Sequence, residues 1–290
     1  MSNRTRSSSF RLWKALLAVT LGIGLFSAGA VWGLNQRSQE PAAPSSSSTA
    51  SSPFRQEADE IPTPVPQAQS AVSVAPQATA APGAKSFQLT VPFLSQTEDW
   101  PTGCESVSAV MALNFAGIGI SVGDFIENYL PLGNPPYEAG RGRHSGYVGS
   151  DPREYFLGDP STDFGWGCFS PVIMNALEEI LADWGSDREA LDLEGYTLDE
   201  LCEKWVAKGT PVLVWATIDM AEPEDDITFT IEGTREQFTW VYPLHCLLLT
   251  GWDEDHYYFN DPLEGQNIAY DRWDCQVAYE YLGRQALAVE

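Results

Sequence analysis

Residues 101–117 read PTGCESVSAVMALNFAG. Thr102 and Glu105 stand at the S/T-x-x-E spacing of a helix capping box. Val107, Val110, Met111 and Asn114 then recur at helical intervals. The spacing predicts a helix over 102–116 with Cys104 in its first turn. Open backbone N–H groups and the positive end of the helix dipole favour a thiolate there, so the thiol pKa is expected to be lowered. Glu105 would oppose this if its carboxylate faced the sulfur; a capping role turns it back to the Thr102 amide instead. Gly103 lets a second segment or a substrate carbonyl approach closely. The bland alternative is a small buried cysteine, or one half of a disulfide.

Working outward, Phe87 to Phe93 reads as a short strand before the loop SQTEDWPTG. Ser121 to Leu130 reads as a second helix with Ser121 and Asp124 as a capping pair. Residues 131–169 are rich in Gly and Pro and read as a long loop that shapes a cleft. Its aromatic residues, Tyr137, Tyr147, Tyr155, Phe156 and Trp166, either grip a chain or fill a small second core; Trp100 stands before Cys104, at the expected entrance. Helices are expected over 170–184, with Ser170 as N-cap and Pro171 in the first turn, and over 197–208. Thr197 and Glu200 make a capping box for the latter, and Gly209 closes it. Residues 211–218, 244–252 and 256–260 read as strands, and 271–282 as a last helix stopped by Gly283. Early helices followed by late strands give an α+β domain over residues 87–290.

A nucleophilic thiol needs a base, and the base needs an orienting group. The candidates are three histidines, His144, His245 and His256. His144 reads as a loop residue and His256 as a surface residue at a hairpin edge. His245 opens the strand HCLLLTGW, which is followed by the short turn Asp253–Asp255 and the strand HYYFN. Folding back across that turn brings His245 beside Asp261, which can accept from the ring nitrogen facing away from Cys104. Without chemistry, His245 is a core or cleft histidine and Asp261 a turn residue in Asn-Asp-Pro. Acyl transfer also needs oxyanion donors. The Cys104 N–H is one candidate and the Gln96 side-chain amide another, unless Gln96 is a plain loop residue.

The whole chain carries 40 acidic against 16 basic residues, a formal net charge of -24. Repulsion by phosphate disfavours nucleic acid as a partner; the acidity either keeps a secreted protein in solution or suits a basic peptide or polymer. The five cysteines show no metal-site spacing, so neither a metal nor any other cofactor is expected. Outside the cell an odd count leaves at least one thiol unpaired, with two bridges open to the other four.

Residues 1–34 carry Arg4, Arg6, Arg11 and Lys14 before an uncharged run from Ala15 to Leu34. Twenty residues at helical rise span about 30 Å, the thickness of a bilayer core. The segment is a signal anchor or a signal peptide cut after Ala30, and either places the rest outside the cytoplasm. Residues 35–86, rich in Pro, Ser, Ala and Gln, lack the large apolar side chains that offset ordering entropy. They read as a disordered spacer, with cell-wall contact open.

At these residues the chain resembles the bacteriocin-leader-processing peptidase-like domain family, in the secreted or membrane-anchored branch of the papain-like cysteine peptidases. The matching stretches are VPFLSQTEDWPTGCESVSAVMAL, GWGCFSPVIMNAL, GTPVLVWATIDM, HCLLLTGWDEDHYYFNDPLEG and AYEYLGRQALA. The resemblance implies a papain-like fold, with N-terminal helices packed on an antiparallel sheet. It implies Cys104 as nucleophile, His245 as general base, Asp261 as orienter and Gln96 as oxyanion donor, acting on a peptide or protein substrate. Typical members cut after a double-glycine leader and are fused to an export transporter; no GxxxxGK[ST] loop occurs in these 290 residues. The rival functions are a peptidoglycan stem-peptide hydrolase or acyltransferase, and an inactive module that keeps the fold for binding.

Overall fold

The computed structural model describes residues 79–81, 83–140 and 145–290. The membrane segment expected over 1–34, nearly all of the spacer expected over 35–86, and His144 lie outside those residues. The chain divides into units 1–66 and 67–290, and everything described belongs to the second.

Helix α1 (Cys104–Phe115) begins two residues later than its sequence predicts. Its N-cap is Gly103, with no side-chain cap, so the Thr102–Glu105 capping box is not formed. The Thr102 hydroxyl donates instead to the Thr162 carbonyl at 3.0 Å, and Glu105 turns inward. Every residue from Cys104 to Leu113 is buried, so the helix is enclosed on all sides rather than along one stripe. Helix α2 (Val122–Tyr129) is capped as expected, the Ser121 hydroxyl accepting from Asp124 N–H at 3.0 Å. Helix α3 (Ser170–Asp183) takes Phe169, not Ser170, as N-cap. Helix α4 (Leu198–Lys204) opens with the Thr197–Glu200 capping box. A 3-10 turn, Val206–Lys208, follows it and ends on Gly209 at φ 101°, a left-handed conformation that costs glycine little. Helix α5 (Arg272–Tyr281) is capped by the Asp271 carboxylate.

The early strands are β1 (Phe87–Gln88), β2 (Leu132–Gly133), β3 (Tyr137–Ala139), β4 (Gly146–Gly149) and β5 (Phe156–Leu157). The middle of the chain supplies β6 (Ala190–Asp192), β7 (Val212–Thr217), β8 (Glu224–Ile231) and β9 (Gln237–Tyr242). The last four are β10 (Leu244–Trp252), β11 (His256–Asp261), β12 (Gly265–Asp271) and β13 (Ala286–Val289). The main sheet runs β12-β11-β10-β7-β13-β6, with β1 also paired to β10, and all of its pairs are antiparallel. Strand β7 is buried along its whole length and β10 from His245 to Gly251, so both faces of the sheet's centre are covered. Helix α1 packs on β10 and β7; α5 packs on β7, β11 and β12. This is the expected α+β architecture, with an N-terminal helix laid on an antiparallel sheet.

The segment 131–169 is not a plain loop. It contributes β2 and β5, which pair in parallel, and β3 and β4, which join β8 and β9 in a second sheet of order β3-β4-β8-β9. Phe156 is fully buried, Tyr137, Tyr147 and Tyr155 are exposed, and Trp166 stacks edge-on against Trp240. Trp215, Tyr257, Tyr279, Phe125, Phe229 and Phe259 are the other large, fully buried side chains. Each contributes on the order of 1.5–3 kcal/mol by leaving water. Trp215 also donates its indole N–H to the Cys168 carbonyl at 2.8 Å, tying β7 to the approach to α3.

Candidate active site

A cavity of about 350 Å³ opens where the start of α1 meets the start of β10. Cys104, His245 and Gln96 all line it, together with Trp166, Trp240 and Tyr242. Asp226 brings a carboxylate to its wall, and among the described residues no lysine or arginine does.

Cys104 is the first residue of α1 and is 7% exposed. Its Sγ donates to Glu105 Oε2 at 3.2 Å. Burial first, then the neighbouring Glu105 and Cys246, push the thiol well above its ordinary value. The direction is opposite to the one the helix terminus alone predicts. The dipole acts as only about half a charge, and desolvation of the sulfur plus a carboxylate in contact outweigh it.

His245 is delivered by β10 and is 1% exposed. Its Nε2 lies 2.8 Å from Asp261 Oδ1. The hairpin that brings them together turns through Asp253–Asp255, as expected, with Asp253 N–H donating to the His256 carbonyl. With Nε2 given to Asp261, Nδ1 is the ring nitrogen left to exchange a proton. Asp261 ends β11 and also accepts from the Tyr270 hydroxyl at 2.6 Å and the Leu263 N–H at 2.9 Å. Burial by itself would raise its pKa; hydrogen bonds from His245, Tyr270 and Leu263 outweigh that and hold the carboxyl below its usual range.

Gln96 sits in the segment after β1, 2% exposed. Its backbone N–H donates to the Pro262 carbonyl, which ties this segment to the residues just after Asp261. Its Nε2 donates to the Pro101 carbonyl at 2.9 Å, and its Oε1 is buried without a partner. The amide has a second N–H beyond the one given to Pro101.

The structure therefore gathers Cys104, His245 and Gln96 around one cavity and places Asp261 directly behind the imidazole. His256 is held at the hairpin edge near Asp253, Nδ1 to Oδ1 3.3 Å, and does not line the cavity; nor does Trp100. Sequence reasoning missed four residues, Trp240, Tyr242, Asp226 and Tyr270. Trp240, Tyr242 and Asp226 come from the unrecognised β8–β9 hairpin. Tyr270 comes from β12, which went unread beside the helix that follows it. Of the two orientations open to Glu105, toward the sulfur or back to the Thr102 amide, the structure takes the first. All five cysteines, Cys104, Cys168, Cys202, Cys246 and Cys275, are buried free thiols, so neither of the two bridges left open is present.

Residues 88–287 match the model of the Peptidase_C39 like family. Protein YvpB of Bacillus subtilis strain 168, itself of uncharacterised function, is 27% identical over 189 residues, covering 65% of this chain and 69% of its own. A solved structure from Bacillus anthracis, of a protein classed as C39-like, superposes with a TM-score of 0.60 at 24% identity. It covers 71% of this chain and 98% of that one. A double glycine motif protease from an AMS/PCAT transporter, solved with its leader peptide, is more distant. It is 13% identical with a TM-score of 0.36, over 70% of this chain and 91% of that one.

Proposed function

The chain belongs to the Peptidase_C39 like family, and from that membership we propose that it is a cysteine peptidase acting through an acyl-enzyme. The observation that carries the proposal is the buried His245–Asp261 pair on the same cavity as Cys104. A thiol, an imidazole and an orienting carboxylate supply nucleophile, base and tautomer control, and packing alone does not call for burying such a pair where apolar residues would do.

In this reading the Cys104 proton passes to His245 Nδ1 and the sulfur attacks the substrate carbonyl carbon. The Cys104 N–H and the second Gln96 N–H receive the developing oxyanion. The carbon–nitrogen bond breaks as His245 returns its proton to the leaving amine. Water, deprotonated by neutral His245, then cleaves the thioester and releases the acid. Asp261 stays ionised throughout and steadies the imidazolium. The substrate is a peptide or protein chain. The aromatic wall of Trp166, Trp240 and Tyr242 with the Asp226 carboxylate suits a basic side chain near the cut.

Residues 87–290 form the peptidase domain in this proposal, residues 35–86 a spacer, and residues 1–34 a segment that exports the domain and either anchors it or is removed. Among the described residues no helix is long and apolar enough to cross a membrane.

Replacing Cys104 with Ala tests the proposal. Turnover of a cleavable peptide by purified protein should vanish while the circular dichroism spectrum is kept. Unchanged turnover discards the peptidase reading, and release of muropeptides from purified wall without cleavage of linear peptides moves the substrate to the stem peptide.

A further inference from the structure

The carboxyl of Glu105 is built into the floor behind the nucleophile. Glu105 is wholly buried on α1. Its Oε1 accepts the Cys168 N–H at 2.8 Å, and its Oε2 accepts the Cys104 thiol at 3.2 Å. The backbone opposite is shaped to admit it. A Cβ at residue 167 would stand 2.5 Å from Oε1, and Gly167 occupies that place at φ +121°. No lysine or arginine forms an ion pair with Glu105 among the described residues. The titratable groups that face it are thiols and the base: Cys104 from its own helix, Cys168 from the segment entering α3, and His245 and Cys246 from β10.

A helix cap explains none of this, because the helix starts at Gly103 without a side-chain cap. A structural carboxylate needs a cation or several backbone donors to offset desolvation; Glu105 has two backbone N–H groups, of Cys168 and its own residue, which leave it with a raised pKa. This one touches the sulfur that the reaction uses.

We propose that Glu105 is a positioning residue whose own proton governs Cys104. Charged, it holds the sulfur as a thiol; neutral, it turns its O–H to the sulfur and stabilises the thiolate. The thiol proton goes to His245 in both cases, and Glu105 exchanges its proton with solvent, so no bond to carbon forms or breaks in the switch. Burial raises the Glu105 pKa, and the hydrogen bonds from the Cys168 N–H, its own backbone N–H and the Cys104 thiol, with the neighbouring His245, offset only part of that. The carboxyl thus stays neutral to higher pH than an exposed glutamate, and the reactive thiolate–imidazolium pair is favoured on the acid side of that titration. This inference rests on Cys104 as the nucleophile.

The test reads the sulfur without a substrate. Full-length protein and its Glu105→Gln variant are treated with iodoacetamide from about pH 5 to pH 9, and alkylation of Cys104 is followed by peptide mass spectrometry. In the wild type the rate should fall as Glu105 ionises and rise again only at strongly alkaline pH. In Glu105→Gln, which keeps a donor and never charges, the fall should be absent. The variant should then be about 10-fold or more faster near pH 8, one pH unit of thiol acidity, and match the wild type in acid. Glu105→Ala, with no donor, should be slower than Glu105→Gln at every pH. A purely structural role would change all rates by one factor regardless of pH. Superimposable wild-type and Glu105→Gln profiles overturn the proposal. If Glu105→Gln does not fold, the wild type decides alone, a single rising curve of an ordinary thiol overturning it. Persistent turnover in Cys104→Ala would instead remove the peptidase reading, which is a separate result.

Discussion

The imidazole of His245 and the carboxylate of Asp261 sit 2.8 Å apart at 1% exposure each, and that burial makes them interdependent. Asp261 carries three hydrogen bonds, and an amide in its place can satisfy only some of them with the correct polarity. Asp261→Asn should lower turnover by roughly 10²–10⁴-fold, as expected when the base loses its tautomer control. It should also cost about 1–3 kcal/mol of stability near neutral pH. The sign with pH follows from the lowered carboxyl. The unfolded chain binds this proton more readily than the folded one, so the stabilisation is full above the ordinary aspartate value and disappears as pH falls through the folded value. Urea unfolding at about pH 7 and about pH 3 should show the gap between wild type and variant closing in acid. An equal gap at both would mean that Asp261 acts by shape rather than charge. The residues of this pair were legible because a histidine and an aspartate flank one predicted hairpin. The ionisation of Cys104 was not, because a local motif says nothing of how deeply a sulfur is buried.

At the scale of elements, two motifs with the same spelling met different fates. Thr197 and Glu200 make a full capping box at α4, where the carboxylate remains near solvent. Thr102 and Glu105 do not, because the Cys168 N–H and the Cys104 thiol compete for the carboxyl and the Thr162 carbonyl takes the hydroxyl. Gly167 is the residue that makes room for this choice. Gly167→Ala should lose more than 2 kcal/mol, roughly, from a left-handed backbone and a clash together. Gly283 at φ +79° has nothing within 4 Å of its would-be Cβ, so Gly283→Ala should lose only about 1 kcal/mol. Denaturant midpoints at constant slope measure both, and equal losses would dismiss the packing role given to Gly167. Helices α2, α4 and α5 and the strands β7, β10 and β11 were readable from caps and apolar runs. Strands β3, β4, β8 and β9 were not. They are short or polar on one side, and β4 pairs with a partner some eighty residues away, at Val148↔Thr230.

On the scale of the molecule, the main sheet joins segments from residue 87 to residue 289, so trimming either end of 87–290 takes a strand out of it. Ala80 N–H also bonds the Ala207 carbonyl, which ties the approach to β1 onto the domain. A fragment spanning 79–290 should therefore unfold in one cooperative transition and alkylate at Cys104 as the full chain does. Loss of the transition in the fragment would show that the preceding residues belong to the folding unit. By itself the sequence determined the α+β class and the hairpin that pairs His245 with Asp261; the set with Gln96 and Cys104 came from the family resemblance. The class and the hairpin follow from periodicity and turn chemistry, which act between near neighbours. Only the tertiary structure decided that Glu105 faces the sulfur, that all five thiols stay free, and that an aromatic wall closes the cleft. Burial and long-range pairing set those outcomes, and both depend on segments that meet only after the chain has folded.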